Sequence, residues 1–171
     1  MKKFLGAIIS GLAGVLSLVF LALPVLSVDF GIGDAETVSG WKVLTDEAWG
    51  KADMTAVTWY RILAWILVVL AIVLVVVAVI QLLSSLNIIK VPAIVGKVGN
   101  YALITLAVVS ILALIANFGI RAELINQAEK FGGEIAKKAA SEAYSVGAAL
   151  WIVAIVNAIA AVCGNLFKAK K

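Results

Sequence analysis

Few side chains in this sequence could do chemistry, and those few lack their usual partners. The chain has no histidine and a single cysteine, Cys163. Zinc and haem sites therefore lose their common ligands, and neither a Ser-His-Asp triad nor a Cys-His pair can form. The sequence also contains no glycine-rich phosphate-binding loop. We predict that the protein is not an enzyme and needs no cofactor, and that Cys163 is a small apolar packing residue.

Three carboxylates close to the first apolar segment come nearest to a metal site. Asp29, Asp34 and Glu36 offer the oxygen ligands that Ca²⁺ prefers. Their spacing does not match a calcium-binding loop, and a solvated acidic loop explains the same residues. We therefore predict no metal site.

Two asparagines, Asn117 and Asn157, lie inside apolar segments. An amide without a hydrogen-bond partner is costly in hydrocarbon. We expect each asparagine to form a hydrogen bond between helices, a contact that contributes about 0.6–2 kcal/mol. The alternative is that the two amides line a pore or a ligand pocket.

The elements that must hold these residues are apolar segments of membrane-spanning length. The chain is 64% apolar and 14% charged, whereas roughly 25% of the residues of soluble domains are charged. Four segments, 4–28, 62–89, 98–120 and 143–167, contain no charged residue, and a helix of about 20 residues crosses a bilayer core. We predict an all-α membrane protein, a single domain over residues 1–171, with a bundle of four transmembrane helices at 4–28, 58–86, 99–120 and 143–167.

The first segment follows Met1-Lys2-Lys3 and could instead be a cleaved secretory signal. The apolar region of such a signal is usually about 7–15 residues long, and this one is much longer. We therefore expect the segment to remain as a span.

The first outer loop, residues 29–57, is predicted to fold as a small extracytoplasmic cap. Its run Thr37–Leu44 is rich in β-branched and aromatic residues, which predicts a strand or hairpin, and Thr45 is a candidate N-cap of a following helix. We expect Trp41 and Trp49 to be the apolar anchors of this cap.

The second outer connection, residues 121–142, is alanine-rich and predicted to be helical. Gly132-Gly133 is the expected hinge. We predict a helical hairpin that protrudes from the membrane between the third and fourth spans, whereas residues 87–98 form a short inner loop.

The four predicted spans divide the charged residues between the two sides of the membrane. One side carries only lysines: Lys2, Lys3, Lys90, Lys97, Lys168, Lys170 and Lys171. All ten acids fall on the other side, together with seven basic residues in longer, acid-balanced loops. Because the lysines of the first side lie in short segments close to the spans, we predict that both termini are cytoplasmic. The lack of outer cysteines and of glycosylation acceptors favours a bacterial inner membrane.

Small residues recur at helical spacing in the first span, at Gly6, Ser10, Gly14 and Ser17, and Ala158 belongs to a similar face of the fourth. We expect both faces to point inward, because small residues let helix backbones approach closely in lipid. Arg61 begins the second span. We expect it either to extend its charge to the interface or to pair with an acid of the cap and fix the cap to the bundle.

The layout resembles that of the claudin-like tetraspan membrane proteins. The resemblance rests on four spans, a longer first outer loop containing Ser39-Gly40-Trp41, and Arg61 at the start of the second span. The two cysteines that follow the tryptophan in claudins are missing here. The resemblance implies a non-enzymatic protein whose outer cap associates with neighbours, with Trp41 and Arg61 stabilising the fold.

Two functions remain open. The first is a structural or interaction protein, embedded in the lipid bilayer, that associates with itself or with another envelope protein through its outer cap. The second is an oligomeric channel or transporter subunit whose pore is lined by small and polar residues of the first, third and fourth spans. Neither function involves nucleic acid.

Overall fold

The computed structural model describes residues 2–29, 31, 34–46 and 54–166. The expected anchor Trp49 and the end of the fourth predicted span lie outside these residues. The elements are, in chain order, α1 (Lys2–Ser17), a 3₁₀ turn (Leu18–Leu21), β1 (Pro24–Val28), β2 (Glu36–Ser39), α2 (Gly40–Thr45), α3 (Thr55–Ser85), α4 (Ala93–Ala143), β3 (Tyr144–Val146) and α5 (Ala148–Leu166).

Three of the described helices are long and apolar enough to cross a bilayer, over Phe4–Leu21, Thr55–Ser85 and Ala93–Ala143. A fourth apolar helix, Ala148–Gly164, is shorter. The described residues therefore form a mostly helical, membrane-embedded protein with a small sheet.

Two predicted spans are wrong at the ends that adjoin the sheet. The first was expected to be helical from 4 to 28, but its helical part ends at Leu21 and Pro24–Val28 forms β1. The fourth was expected to begin at 143, but Tyr144–Val146 forms β3 and α5 begins at Ala148. A lack of charge does not distinguish a short strand from a helix, and Pro24 has no N–H to continue one.

The sheet has the order β2-β1-β3, and both pairs are antiparallel. In the central strand, Leu26 lies opposite Val38 of β2 and Val146 of β3. Two further backbone hydrogen bonds extend the β1–β3 contact, from the Asp29 nitrogen to the Ala143 carbonyl oxygen and from the Gly147 nitrogen to the Val25 carbonyl oxygen, each 2.9 Å long. β1 is thus hydrogen-bonded along both of its edges.

The predicted strand Thr37–Leu44 is half correct. β2 ends at Ser39, whose hydroxyl oxygen accepts a hydrogen bond from the Lys42 nitrogen and caps α2. A side chain on Gly40 would collide with the carbonyl oxygen of Phe20, so this position requires glycine. Thr45, predicted to begin a helix, is the last residue of α2. The local signal of a serine N-cap therefore prevails over the β propensity of the residues that follow it.

The predicted hinge at Gly132-Gly133 is confirmed. The backbone of Gly133 has φ 65° and ψ −158°, a conformation that interrupts α4 and that side-chain-bearing residues rarely adopt. Beyond the break the chain turns back, because Arg121 lies within hydrogen-bonding distance of Ser141 and Tyr144. Residues 121–142 therefore form a helical hairpin.

The contacts of the chain define two compact units, whose borders lie within helical segments, and the single domain stays a prediction. Unit 1 comprises Met1–Val19, Ile66–Ile111 and Val153–Lys171. Unit 2 comprises Phe20–Trp65 and Leu112–Ile152.

Unit 1 contains parts of four helices, and each contacts the next through a small or polar residue. A Cβ placed on Gly11 of α1 would lie 3.1 Å from the Cβ of Ala78 in α3. Equivalent approaches join Gly99 of α4 to Val77 of α3 and Gly164 of α5 to Leu103 of α4, and Asn157 of α5 reaches Ser17 of α1. Close backbone approach is the usual basis of helix association in lipid.

Gly14 makes the tightest of the α1 contacts, and Gly6, predicted to belong to the same packing face, makes none. A Cβ on Gly14 would lie 2.8 Å from the Ala71 carbonyl oxygen and 2.9 Å from Val75 Cγ2, whereas nothing lies within 4 Å of a Cβ on Gly6. The close approach supports the predicted packing face at Gly14, and at Gly6 that face stays a prediction.

We expect Gly14→Ala to destabilise the protein by about 1–3 kcal/mol, because the added methyl group would push α1 away from α3. Gly6→Ala is the matched control, since it makes the same change in the same helix without a clash. Thermal unfolding in detergent, followed by circular dichroism, measures both. Equal melting temperatures for the two variants would contradict the proposed contact.

Candidate functional site

The first candidate site is a pair of buried polar side chains in unit 1. Ser17 and Asn157 are both fully buried, and the Ser17 hydroxyl oxygen lies 2.6 Å from the Ala13 carbonyl oxygen and 2.9 Å from Asn157 Oδ1. One hydroxyl has one proton and can donate only one of these bonds. Both contacts are satisfied if the Asn157 amide is turned so that its NH₂ group donates to Ser17.

Ser110 of α4 lies at the same level as this pair. Gly164 of α5 approaches Leu103 of α4, and the Trp151 ring of α5 packs against the Phe118 ring of α4, so the two helices run in opposite directions. Ser110 and Asn157 each lie seven residues from the Leu103–Gly164 contact, between these two contacts. Ser110 is fully buried, and its hydroxyl donates to the Ala107 carbonyl oxygen at 2.9 Å. We call Ser17, Ser110 and Asn157 the polar layer.

The polar layer is not fully satisfied. The Asn157 Nδ2 atom is buried without a hydrogen-bond partner among the described residues. If the amide is turned, Nδ2 faces Ser17 and the amide oxygen takes the unpaired position. One of the two polar atoms of Asn157 is therefore unpaired in either orientation. An unpaired buried polar group costs about 1–3 kcal/mol, and its retention in an apolar core points to a specific role.

The remaining residues of the predicted packing faces differ in burial. Ser10 and Gly14 are buried, whereas Ala158 is half-buried. Of the alanines about one turn away on α5, Ala154 is buried and Ala161 is half-buried. The inward face of α5 is therefore centred on Asn157 and Ala154 rather than on Ala158.

The second candidate site is in unit 2, where polar side chains hold the sheet against the helices. Asn117 Nδ2 donates to the Val25 carbonyl oxygen at 2.6 Å. We expected Asn117 to bond to another helix, but its partner is a strand, because the chain leaves the helical conformation before Val25. The bond holds β1 against α4.

Arg61 anchors α2. Its Nη2 atom donates to the Leu44 carbonyl oxygen at 2.9 Å, at the carboxyl end of α2. The side chain thus fixes this part of the loop to α3, as one of the two predictions for Arg61 required, although the acceptor is a backbone carbonyl rather than a carboxylate. A guanidinium is well suited to a helix end that carries unpaired carbonyl groups.

Arg121 and Glu123 have equivalent roles that the sequence did not reveal. Arg121 donates from Nε to the Tyr144 carbonyl oxygen at 2.6 Å and from Nη2 to the Ser141 carbonyl oxygen at 2.7 Å. The Glu123 carboxylate accepts from the Ala56 nitrogen, with both oxygens at 3.2 Å. These bonds close the hairpin and cap the start of α3. Because the partners are distant in sequence, no local pattern identifies them.

Trp41 does not anchor the loop as predicted. Its side chain is 52% exposed, and the buried positions of α2 are Gly40, Val43 and Leu44. These three residues share one helical face, which places Trp41 on the opposite face. The prediction relied on the apolar character of tryptophan, which does not determine the face of a short helix on which the residue lies.

That the three acids considered as calcium ligands hold no metal stays a prediction. Asp29 Oδ1 accepts a hydrogen bond from the Gly31 nitrogen at 2.8 Å, a local turn. Within the described residues, no three His, Cys, Asp or Glu side chains lie close enough together to hold an ion.

The third candidate site is the end of the hairpin. Phe131 and Ile135 are 90% and 86% exposed, more than any other large apolar side chain among the described residues. Lys137 forms a 2.9 Å ion pair with Glu129 beside them. We call Phe131 and Ile135 the hairpin tip. An exposed apolar pair on a polar segment is typical of a contact surface.

We expect Ser17→Ala to destabilise unit 1 by about 1–2 kcal/mol, because the Asn157 amide then loses the hydrogen bond that it has. Adding Asn157→Leu should recover most of this loss, because no buried amide remains. Thermal unfolding of the two single variants and the double variant measures the coupling. Strictly additive effects would show that the two side chains do not interact.

Comparison of the chain with protein-family models, with curated proteins and with solved structures gives no match.

Proposed function

We propose that this protein is a non-enzymatic structural or interaction protein of a cell membrane, which associates with a second copy of itself or with another envelope protein. In this proposal the outer cap, formed by the first outer loop (29–57), makes the contact together with the hairpin tip. The layout resembles that of the claudin-like tetraspan proteins, and the proposed role is the one that this resemblance implies.

The proposed topology has four membrane-spanning helices and cytoplasmic termini. The helices are α1, α3, the first part of α4 and α5. The apolar part of α5 has 17 residues and a length of about 26 Å, close to the roughly 30 Å of a bilayer core. Charge supports the orientation, because unit 1 contains seven lysines and no acid, and all ten acids belong to unit 2. A bacterial inner membrane is the proposed location.

The observation that carries the proposal is the hairpin tip. Side chains that face lipid need no further explanation when they are apolar and exposed. Phe131 and Ile135 differ, because Glu129, Lys130, Glu134, Lys137 and Lys138 surround them in sequence and cannot be placed in hydrocarbon. At the proposed location the two apolar side chains are in water, where a protein partner would cover them.

We expect Phe131→Ser combined with Ile135→Ser to abolish the association while leaving the fold intact, because both side chains are exposed. Chemical crosslinking in native membranes, followed by copurification, measures the association. Lys130→Ser combined with Lys138→Ser is the matched control, since it changes two neighbouring hairpin residues without removing apolar surface.

The wild-type protein should give a defined crosslinked species that the control variant keeps. A wild-type protein that is monomeric and without a partner in these membranes would contradict the proposal. Unchanged crosslinking of the Phe131→Ser, Ile135→Ser variant would show that the hairpin tip does not take part in the association.

The alternative function is an oligomeric channel or transporter subunit, and the unpaired amide of Asn157 is the observation that favours it. Ser17, Ser110 and Asn157 are, however, fully buried within one copy of the chain, which supports packing rather than the lining of a pore between copies. Conductance in planar bilayers that changes with Asn157→Leu would support the channel. No conductance across a range of ions would exclude it.

A further inference from the structure

Unit 1 has an unusual charge distribution. Its sequence contains seven lysines and neither Asp nor Glu: Lys2, Lys3, Lys90, Lys97, Lys168, Lys170 and Lys171. In unit 2, by comparison, ten acids accompany seven basic residues. An uncompensated cationic surface attracts anions, and the attraction is strongest where water is scarce.

The helix contacts bring four helix ends of unit 1 together, and Lys90 and Lys97 lie beside two of these ends. Gly11 of α1 approaches Ala78 of α3, and Gly99 of α4 approaches Gln81 of α3. Gly164 of α5 approaches Leu103 of α4. The start of α1, the end of α3, the start of α4 and the end of α5 therefore lie at the same end. We call this the lysine end.

Apolar side chains accompany the lysines between α3 and α4. Leu86, Ile88 and Ile94 are 61%, 63% and 64% exposed, and the neighbouring Lys90 and Lys97 are exposed as well. Exposed aliphatic residues interspersed with lysines, without an acid, are typical of protein surfaces that enter the headgroup region of an anionic membrane. The aliphatic side chains reach the acyl chains, and the ammonium groups reach the phosphates.

We propose that the lysine end binds the phosphate groups of anionic phospholipids in the surrounding leaflet. Lys90 and Lys97, which flank the apolar segment of residues 91–96, make the contacts in the described residues. Charge complementarity identifies the lipid, because a zwitterionic headgroup brings a cation that the lysines would repel. The inference goes beyond the proposed function, since it concerns neither the outer cap nor the hairpin tip and holds for either orientation in the membrane.

The test uses the full-length protein purified in a neutral detergent and mixed with phosphatidylglycerol or phosphatidylcholine. Native mass spectrometry counts the lipid molecules that remain bound. We expect the wild-type protein to retain phosphatidylglycerol preferentially. Lys90→Gln combined with Lys97→Gln should lower this preference about thirtyfold, since each lysine near an anionic surface contributes about a fivefold change.

Two further variants make the result specific. Lys137→Gln combined with Lys138→Gln removes the same charge from the hairpin and should leave the preference unchanged. Lys90→Arg combined with Lys97→Arg keeps the charge and should restore it, which also shows that these positions tolerate substitution. Equal retention of the two lipids by the wild-type protein, or an equal loss in the hairpin variant, would overturn the proposal.

A competition experiment identifies the source of the phosphate. Excess inorganic phosphate should leave the bound phosphatidylglycerol in place, because free phosphate lacks the acyl chains that contact Leu86, Ile88 and Ile94. Displacement by inorganic phosphate, or by an acidic polymer such as RNA at the same charge concentration, would show that the surface serves another anion and would contradict lipid binding.

Discussion

The structure depends on the requirement that a backbone surrounded by apolar groups satisfies its own hydrogen bonds. Long helices meet this requirement over Thr55–Ser85 and Ala93–Ala143. Where the chain is not helical, neighbouring strands and polar side chains form hydrogen bonds to the backbone instead. β1 is paired on both edges, Asn117 and Gly147 bond to the carbonyl oxygen of Val25, and Arg121 bonds to the carbonyl oxygens where the hairpin returns.

This requirement also explains which structural features could be predicted from the sequence. The apolar helices follow from the absence of charge, and the break at Gly133 follows from two consecutive glycines in a helical segment. The strands at Pro24–Val28 and Tyr144–Val146 do not, because their residues are as apolar as the helices that adjoin them. Only their pairing with each other distinguishes them, and the two strands are more than a hundred residues apart in the sequence.

In the candidate sites, too, some features could be predicted from the sequence and others could not. Asn117, Asn157 and Arg61 were recognisable because a polar residue within or at the end of an apolar segment requires a partner. Their partners were not recognisable, since Val25, Ser17 and Leu44 are brought to them by the fold. Trp41 shows the opposite error, because this apolar side chain was expected to be buried and lies on the exposed face of α2.

The separation of charge between the two units gives the proposals a common basis. A unit with lysines and no acid suits contact with an anionic leaflet, and a unit with a sheet and a hairpin suits contact with other proteins. The most direct test is the accessibility of single cysteines in a Cys163→Ser background, with sealed vesicles and a membrane-impermeant maleimide. We predict that Phe131→Cys is labelled from one side and Asn87→Cys only from the other. Labelling of both positions from the same side would contradict the account.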